Sequence, residues 1–486
     1  MSAADRGMSG PHLARLLGAW RSSRPGYVAL AGSIRLLVLD GRLPLRTRLP
    51  GERELASALG VSRTTAAAAY AALRDEGFLA SRRGSGSWTC LPADRRAAPA
   101  PEPPPARAGE LDLGCAATAA PEGALHRALA AATAELPRHL PGPGYDALGL
   151  PALRAAIAAH LTSRGAPTSP DQVLVTAGAQ HAFALLLHVL AAPGDRILVE
   201  HPTYPHALDA IRAAGARPVP VALRPDGWDL EMYGATLRQS APRLAYSILD
   251  HHNPTGLTLP GDERAELVAL ARATRTPIVA DETLAELRLD PGAATAAPLA
   301  AHDPAGEAVV TIGSLSKAFW AGLRIGWIRA DPTLVQRLAL ARAAIDISSP
   351  VVEQLVATEL LADPEPVLDA QRDALRARRD ALVAALRSSL PDWRFRLPAG
   401  GPSLWVELDA PRSTALAAVA AQHGVRLAAG PRFGVDGAFE RFLRLPYTLP
   451  QDRLREAVER LAVAWRAVAA DRGGDTRAAE PPALVA

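Results

Sequence analysis

The sequence predicts two folded parts of different class: a mostly helical winged helix-turn-helix at the N-terminus and, behind it, an α/β fold with a mostly parallel sheet. Two helical patterns separated by three residues, and then a hairpin pattern, fall within the first 90 residues. Seven short apolar runs alternate with helical stretches farther along, which is typical of a parallel sheet. A Pro- and Ala-rich stretch without apolar periodicity lies between the two parts.

These patterns divide the chain into four segments. Residues 1–90, here called the head, carry the helix-turn-helix, and residues 111–470, here called the body, carry the α/β fold. Residues 91–110 are predicted to be an extended linker and residues 471–486 a disordered tail. The chain has 486 residues, of which 49% are hydrophobic, and this is enough for two parts with sizeable cores.

The positive charge of the chain is concentrated in the head. The formal net charge of the whole chain is only +3, yet the first 92 residues hold 13 Arg against 6 Asp and Glu. This excess predicts an anionic partner for the head. Nucleic acid is favoured over a membrane surface, because the head has no basic amphipathic helix with large apolar residues.

The sequence predicts a cytoplasmic protein without a membrane segment. Its N-terminus lacks the apolar core of a signal peptide, and its longest apolar run, HAFALLLHVLAA, is too short to cross a bilayer. The two cysteines, Cys90 and Cys115, make no disulfide framework and have no metal-ligand spacing. We therefore expect a reducing compartment and no metal site.

The head contains the start and stop signals of two consecutive helices. The stretch ERELASALG predicts a helix that ends before Gly60, and Ser62 is a good N-cap for the following RTTAAAAYAALRDEG. The next stretch, FLASRRGSGSWT, predicts a hairpin with its tip at Gly84, which would form the wing.

The start of the second helix of a helix-turn-helix enters the major groove of DNA. Arg63, Thr64 and Thr65 are therefore placed to meet base edges and phosphates, with Ser62 at the N-cap. The further candidate DNA contacts are Arg48, Arg53, Arg74, Arg82, Arg83 and Gly84. A small helical bundle with solvated arginines is the alternative, which the hairpin and the local charge disfavour.

The stretch LPGERELASALGVSRTTAAAAYAALRDEGFLASRRGSGSWT resembles the winged helix-turn-helix of GntR-type bacterial regulators, over about residues 26–89. The resemblance implies that the head binds a double-stranded DNA operator. Gly51 and Glu52 depart from the family pattern, which often has small polar residues there, whereas Arg53 matches it.

Lys317, in GSLSKAFWAGLRIGW, is the only lysine of the chain, which has 53 Lys and Arg in all. A composition that uses arginine for every other positive charge indicates that this position needs an amine. A desolvated ε-amine can lose its proton and form an imine, whereas a guanidinium is no nucleophile at neutral pH. Chance survival of a surface lysine is the alternative.

Other polar residues follow the predicted strands of the body, where the ligands of α/β folds gather. Ala179 and Gln180 open a helix after VLVT, an arrangement whose free N–H groups suit a phosphate. Arg324 stands seven residues after Lys317, and its spacing allows it to share one anion with Ser314.

Two more residues complete a set with a recognisable chemistry. Asn253 follows AYSIL in DHHNPTG, and Asp281 ends PIVAD. A buried acid at a strand end is often only a helix cap. With an amine, an amide and a phosphate cradle beside it, however, it matches what pyridoxal 5'-phosphate requires, an imine-forming lysine and an acid that keeps the pyridine nitrogen protonated. The predicted cofactor is therefore pyridoxal 5'-phosphate.

From about residue 110 to residue 470 the sequence resembles the fold-type I aminotransferases, with HPTYP, NPTG and SLSK in order and spacing. The resemblance implies a smaller C-terminal α+β subdomain at about residues 350–470. It implies that Lys317 bonds the cofactor, Asp281 pairs with the ring nitrogen and Asn253 with the ring 3-oxygen. The other implied site residues are Tyr204 for ring stacking, Ala179, Gln180, Ser314 and Arg324 for the phosphate, Tyr145 for the phosphate of the neighbouring subunit, and Arg444 for a substrate α-carboxylate.

One departure bears on catalysis. Related sequences commonly have a tyrosine two or three residues after the pyridine-binding Asp, to support the ring oxygen, whereas Thr283 and Leu284 stand there in this chain. The departure puts turnover in question more than cofactor binding.

A GntR-type head joined to an aminotransferase-like body is the architecture of the MocR/GabR group. The resemblance implies a transcriptional regulator that senses pyridoxal phosphate, or an amine or amino acid that condenses with it, with weak or partial transamination. It also implies a homodimer, often with each head against the partner subunit's body. The alternative is an active aminotransferase with an accessory basic head, since both functions need Lys317. A cofactor-free scaffold conflicts with the retained Lys317 and Asp281.

Overall fold

The computed structural model describes residues 6–18, 20–21, 25–82, 86–92, 109–292 and 296–470. The predicted tail, most of the predicted linker, and the wing residues Arg83 and Gly84 lie outside these ranges.

The described part of the head has four α-helices around an apolar core. They are α1 (Gly10–Leu17), α2 (Gly26–Leu39), α3 (Glu52–Leu59) and α4 (Arg63–Asp75). Gly60 ends α3 in a left-handed conformation with φ 62°, and the Ser62 hydroxyl accepts the Thr65 amide at 3.1 Å to start α4. Both predicted caps are thus present, whereas α1 was not predicted.

A small sheet completes the winged helix-turn-helix. Its strands are β1 (Arg6–Gly7), β2 (Thr47–Arg48), β3 (Leu79–Arg82) and β4 (Gly86–Thr89). The strand order is β1-β2-β4-β3, and β3 pairs with β4 in the antiparallel sense. The two arms of the predicted wing are therefore confirmed.

The body contains two sheets. Its strands are β5 (Leu111–Leu113), β6 (Val173–Thr176), β7 (Arg196–His201), β8 (Arg217–Ala222), β9 (Leu244–Ser247), β10 (Ile278–Asp281), β11 (Val309–Ser314), β12 (Gly326–Arg329), β13 (Arg394–Phe395), β14 (Ser403–Glu407), β15 (Val425–Ala429) and β16 (Phe442–Pro446). The larger sheet has the order β6-β12-β11-β10-β9-β7-β8 and is parallel except for β12. All seven predicted runs are strands of this sheet. Six of them are mainly apolar and buried along nearly their whole length, whereas the edge strand β8 alternates between buried and partly exposed residues.

Helices cover both faces of the larger sheet. The helices of the body are α5 (Glu122–Glu135), α6 (Pro151–Ser163), α7 (Ala179–Leu190), α8 (Pro205–Ala213), α9 (Leu230–Ser240), α10 (Gly261–Thr274), α11 (Leu315–Ala318), α12 (Pro332–Ala341), α13 (Val351–Ala362), α14 (Glu365–Ser389), α15 (Ser413–Gln422) and α16 (Gln451–Ala470). Val199 and Tyr246 pack with α7 and α8 on one face, whereas Leu198 and Ala245 pack with α9 and α10 on the other. Within the described ranges, no helix is both long and apolar enough to cross a membrane.

The smaller sheet has the order β13-β14-β16-β15-β5. Its last strand, β5, comes from the beginning of the body and pairs in parallel with β15, so that Leu111 lies opposite Val425. The first residues after the predicted linker are therefore part of the C-terminal subdomain. The sequence pattern predicts the subdomain but not this strand.

Candidate functional site

Lys317 lies in the short helix α11, directly after the carboxyl end of β11. Its Nζ donates a hydrogen bond of 2.8 Å to the carbonyl oxygen of Ala116. Burial lowers the pKa of Lys317 to about 8, because an ammonium group is disfavoured away from bulk water. The side chain is thus not a solvated surface lysine, and its amine is available in the neutral form at mildly alkaline pH.

Asp281 is buried at the carboxyl end of β10. Its Oδ2 accepts a hydrogen bond of 2.6 Å from the Tyr246 hydroxyl, and its Oδ1 accepts one of 2.9 Å from the Thr283 amide. Burial raises the pKa of Asp281, while the Tyr246 and Thr283 hydrogen bonds oppose that shift by stabilising the carboxylate. Tyr246 was not among the predicted site residues, and its only signal in the sequence is a hydroxyl-bearing ring in the apolar run LAYSIL.

Asn253 has a side-chain atom that the described residues leave without a partner. Its Oδ1 is buried and accepts no hydrogen bond within the described part of the chain. Buried amide oxygens in proteins are normally satisfied, so this atom is suited to a bound polar group.

The predicted phosphate residues surround the start of α7. Gly178 precedes this helix with φ 95°, and a Cβ added to it would lie 2.8 Å from Nη2 of Arg324. The same Nη2 donates to the Ala177 carbonyl at 2.6 Å. The first turn of a helix has N–H groups without intrahelical acceptors, here at Ala179 and Gln180. An arginine held against a helix N-terminus makes a natural anion site.

One cavity of about 160 Å³ brings most of the predicted cofactor residues together. Its lining includes Ala179, Gln180, Tyr204, Asn253, Asp281, Ser314, Lys317 and Arg324. Thr283 and Leu284, where related sequences commonly have the tyrosine, also line it. The amine, the acid, the amide and the phosphate cradle therefore share one space, as pyridoxal phosphate requires, and the unpartnered Asn253 Oδ1 and the glycine beside Arg324 fit such a group.

Arg444 lies beside this cavity but is not among its lining residues. It is buried on β16, where it donates a short hydrogen bond to the Gly114 carbonyl, and its Cζ lies 5.2 Å from the centre of the Phe433 ring. Burial lowers the pKa of Arg444 to about 10. Ala116, the partner of Lys317, follows Gly114 closely, so one backbone segment contacts both cations.

Tyr145 lies apart from the cavity. Its side chain is 70% exposed, as expected of a residue that contributes to another subunit, but a single chain does not test that role.

The predicted DNA contacts of the head fall into two groups. Ser62, Thr64 and Thr65 form a hydroxyl cluster at the start of α4, in which the Ser62 Oγ lies 2.7 Å from Thr64 Oγ1 and 2.8 Å from Thr65 Oγ1. Arg63 is exposed beside this cluster. Arg48 and Arg53 are exposed and Arg74 is half-buried, while Arg82 ends β3 and its side chain is not described.

Comparison with known proteins gives two family matches. The profile described as bacterial regulatory proteins, gntR family, matches residues 27–88, and that of aminotransferase class I and II matches residues 124–461. The chain belongs to the class I and II aminotransferase family. Because it also has a GntR-type head, the chain has the domain arrangement of MocR-type regulators.

Relatives that are named as regulators match most of the chain. The uncharacterized HTH-type transcriptional regulator YisV of Bacillus subtilis is 29% identical over 80% of this chain and 86% of its own length. The probable rhizopine catabolism regulatory protein MocR of Rhizobium meliloti is 30% identical over 76% of this chain and 78% of its own. Both names are those of regulators.

A solved aminotransferase has the same fold as the body. LysN, the α-aminoadipate aminotransferase of Thermus thermophilus, superposes with a TM-score of 0.69 at 28% identity, covering 74% of this chain and 93% of its own. It was solved in complex with N-(5'-phosphopyridoxyl)-L-leucine.

Proposed function

We propose that the protein is a transcriptional regulator that binds operator DNA through its head and pyridoxal phosphate, alone or with an amino compound, in its body. The observation that carries the proposal is the presence in one chain of a GntR-type helix-turn-helix and a cavity that brings all the predicted cofactor residues except Tyr145 together around Lys317. The regulator names of relatives that match both parts support it. Such a regulator acts on the chromosome, in the cytoplasm.

In the body, different cavity residues would hold different parts of the cofactor. Pyridoxal phosphate would supply an electrophilic aldehyde and an electron sink. Lys317 would provide the neutral amine for the aldehyde, and Asp281, whose carboxylate form the Tyr246 and Thr283 hydrogen bonds favour against its burial, would pair with the protonated ring nitrogen. The phosphate would be held by the start of α7 with Ser314 and Arg324, Tyr204 would stack on the ring, and Asn253 would bind the ring oxygen.

In the head, the start of α4 would read the operator. Arg63 is exposed there and would reach base edges, while the Ser62 cap fixes the direction of the helix. The residues proposed to contact phosphates are Arg48, Arg53, Thr64, Thr65, Arg74, Arg82, Arg83 and Gly84.

We further propose that the effector is an amino acid or another amine with a carboxylate, and that Arg444 holds this carboxylate. Arg444 is buried next to residues 114–116, the backbone segment that also contacts Lys317. Its guanidinium can bind a carboxylate through two parallel hydrogen bonds. An incoming carboxylate would replace the Gly114 carbonyl as the partner of Arg444.

We propose a homodimer because the body exposes large apolar side chains. Leu140, Leu340 and Ile347 are 68%, 79% and 50% exposed, and large apolar side chains left in solvent are candidates for burial against another chain. Gly144, next to Tyr145, lies near Val351, since a Cβ added to it would be 3.7 Å from Val351 Cγ2. A second copy would cover such side chains and receive Tyr145.

An active aminotransferase is the second candidate, favoured by the complete cavity and by the similarity to LysN. Thr283 in place of the usual tyrosine favours slow or partial transamination instead. Sequencing the DNA fragments bound by the purified protein, with and without pyridoxal phosphate, tests the regulator proposal. We expect one enriched motif whose affinity changes with the cofactor, and equal binding to all fragments would contradict the proposal.

A further inference from the structure

The head contacts the body of the same chain at the end of α2, whereas the family resemblance implies that the head often lies against the partner subunit's body. The Phe439 amide donates a hydrogen bond of 2.7 Å to the carbonyl oxygen of Leu39, and both residues are buried. Gly41 leaves the space for the aromatic ring, because a Cβ added to it would lie 2.3 Å from Phe439 Cζ. A backbone hydrogen bond and a ring that fills the place of a missing side chain make a specific contact.

The polar contacts around this point are incomplete. Asp40 Oδ1 lies 3.9 Å from Arg441 Nε, and Asp436 Oδ2 lies 3.9 Å from Arg46 Nη2, so neither distance is that of a hydrogen bond. Asp40 Oδ1 and Arg441 Nε are both buried and have no hydrogen-bond partner within the described residues. The two charges of each pair still attract each other, but the unmade hydrogen bonds offset part of that attraction, so the contact is weaker than a fully hydrogen-bonded one.

Two cavities between head and body border the contact. One, of about 430 Å³, is lined by Asp40 and Arg42 of the head and by Trp405 and Phe442 of the body. The other, of about 260 Å³, is lined by Leu45 and Arg46 of the head and by residues of the body that include Asp436. The head is thus attached around Phe439 with open space nearby, which leaves room for it to tilt.

The chain segment that carries Phe439 also supports the cofactor site. Within residues 430–442, the carbonyl of Phe433 accepts a hydrogen bond of 2.9 Å from the Thr203 amide, and Thr203 directly precedes the cavity residue Tyr204. The ring of Phe433 lies under the Arg444 guanidinium. One end of the segment therefore contacts the proposed effector site, while the other contacts the head.

Residues 430–442 also contain strained backbone. Asp436 and Phe439 have φ values of 62° and 73°, in a region that residues with a Cβ rarely adopt. The ring of Phe439 is held by His201 at 4.6 Å between ring centres and by Trp405 at 6.0 Å. Strain of this kind persists only while the surroundings hold it, so a shift at Phe433 can change the conformation at Phe439.

We propose that residues 430–442 are the coupling segment through which occupancy of the cofactor cavity changes the docking of the head, with Phe439 as its contact on the head. The proposal rests on the proposed function, because it names how that regulation is transmitted. A ligand can alter DNA binding only if it has different affinities for the docked and the undocked arrangement. The contacts of Phe433 with Arg444 and Thr203 are the source of that difference.

The test measures the affinity of the full-length protein for its operator with and without pyridoxal phosphate. Phe439→Ala removes the contact from the body, and Gly41→Ala removes it from the head because its Cβ would overlap the ring. Gly18→Ala is the matched control, since Gly18 also has positive φ but nothing lies within 4 Å of the added Cβ. Cofactor absorbance and melting temperature confirm that each variant is folded and loaded.

We expect wild type and Gly18→Ala to show the same change in operator affinity on cofactor binding, about tenfold or more, and the two contact variants to show a change of less than twofold. Loaded contact variants that keep the wild-type change would overturn the coupling segment and leave the proposed function intact. A wild type whose operator affinity ignores both pyridoxal phosphate and added amino acids would overturn the proposed regulation, and the coupling segment with it.

Discussion

The Tyr246 hydroxyl donates a hydrogen bond of 2.6 Å to Oδ2 of Asp281 across two neighbouring parallel strands, β9 and β10. Both side chains are buried, so this bond acts in a medium of low dielectric and offsets part of the burial that raises the pKa of Asp281. That carboxylate would keep the nitrogen of a bound pyridine ring protonated. We therefore propose Tyr246 as a positioning residue for the cofactor, although it is not among the residues that line the cavity.

The first prediction concerns this bond. Tyr246→Phe keeps the ring, which packs 4.5 Å from the ring of Phe183, but leaves Asp281 with one hydrogen bond fewer. We expect the pKa of Asp281 to rise further and the cofactor affinity to fall by about 1–3 kcal/mol. Tyr233→Phe is the control, because it removes an equally buried hydroxyl, paired at 3.0 Å with Ser247. If the two variants bound the cofactor with equal affinity, the proposed role of Tyr246 in the site would be contradicted.

The second prediction follows from the lowered pKa of Lys317. Only the neutral amine attacks an aldehyde, and with a pKa of about 8 its fraction rises about tenfold per pH unit below that value and levels off above it. The rate at which added pyridoxal phosphate develops its protein-bound absorbance should follow this curve between pH 6 and 9. Lys317→Arg should show no such band. In the wild type, reduction with borohydride should fix the cofactor to no side chain other than that of Lys317, because the chain has no other lysine.

The strand and helix pattern was predictable because it is local. Each buried strand of the parallel sheet is a continuous apolar run, and the caps at Gly60 and Ser62 lie next to the helices that they bound. Most of the residues that share the cavity could be selected from the sequence for a related reason, because most of them follow predicted strands and Lys317 is the only lysine of the chain.

The remaining features depend on long-range pairing. Leu111 pairs with Val425, and Phe439 contacts Leu39, across hundreds of residues, and nothing near Leu111 or Leu39 in the sequence specifies these partners. Tyr246 looks like an ordinary apolar strand residue until β10 is placed beside it. These contacts connect the parts of the molecule, so the sequence predicted its components better than their coupling.

The third prediction tests Arg444 as a carboxylate ligand. Arg444→Lys keeps a positive charge but loses the planar fork that binds a carboxylate through two hydrogen bonds. We expect amino acid effectors to bind about tenfold more weakly, while simple amines and the cofactor keep their affinity. Arg426→Lys, on neighbouring β15 and paired with Asp112 at 2.7 Å, is the control. Spectral titration of the loaded protein measures both, and unchanged amino acid binding in Arg444→Lys would contradict the assignment.

The fourth prediction separates base reading from phosphate binding in the head. Arg63→Ala should weaken binding to the operator by about 1–3 kcal/mol and binding to random DNA much less, because a base contact carries sequence information. Arg53→Ala should weaken binding to both alike and reduce the slope of log affinity against log salt by about 1. Fluorescence anisotropy over a salt series gives both quantities. Identical profiles of the two variants would show that Arg63 contacts only the backbone.

The fifth prediction is that docking of the head strengthens as the pH falls. Burial raises the pKa of Asp40 from 3.8 to about 6, against the attraction of Arg441 and Arg42 and with the repulsion of Glu407. The docked state thus holds the Asp40 proton more tightly than an undocked head would. Above pH 6 the carboxylate is charged in both states and its burial opposes docking, and this cost is relieved as the pH falls from about 6 towards 4.

The Phe439 amide reports docking directly, because its acceptor is the Leu39 carbonyl of the head. Its protection against hydrogen exchange, corrected for the intrinsic rate, should therefore increase between pH 7 and pH 5. The Phe442 amide, whose acceptor is the Phe439 carbonyl within the same segment, should change much less. In Asp40→Asn the side chain carries no charge, so protection of Phe439 should be high at pH 7 and constant over this range. A wild-type pH dependence that persists in Asp40→Asn would assign the effect to a different group.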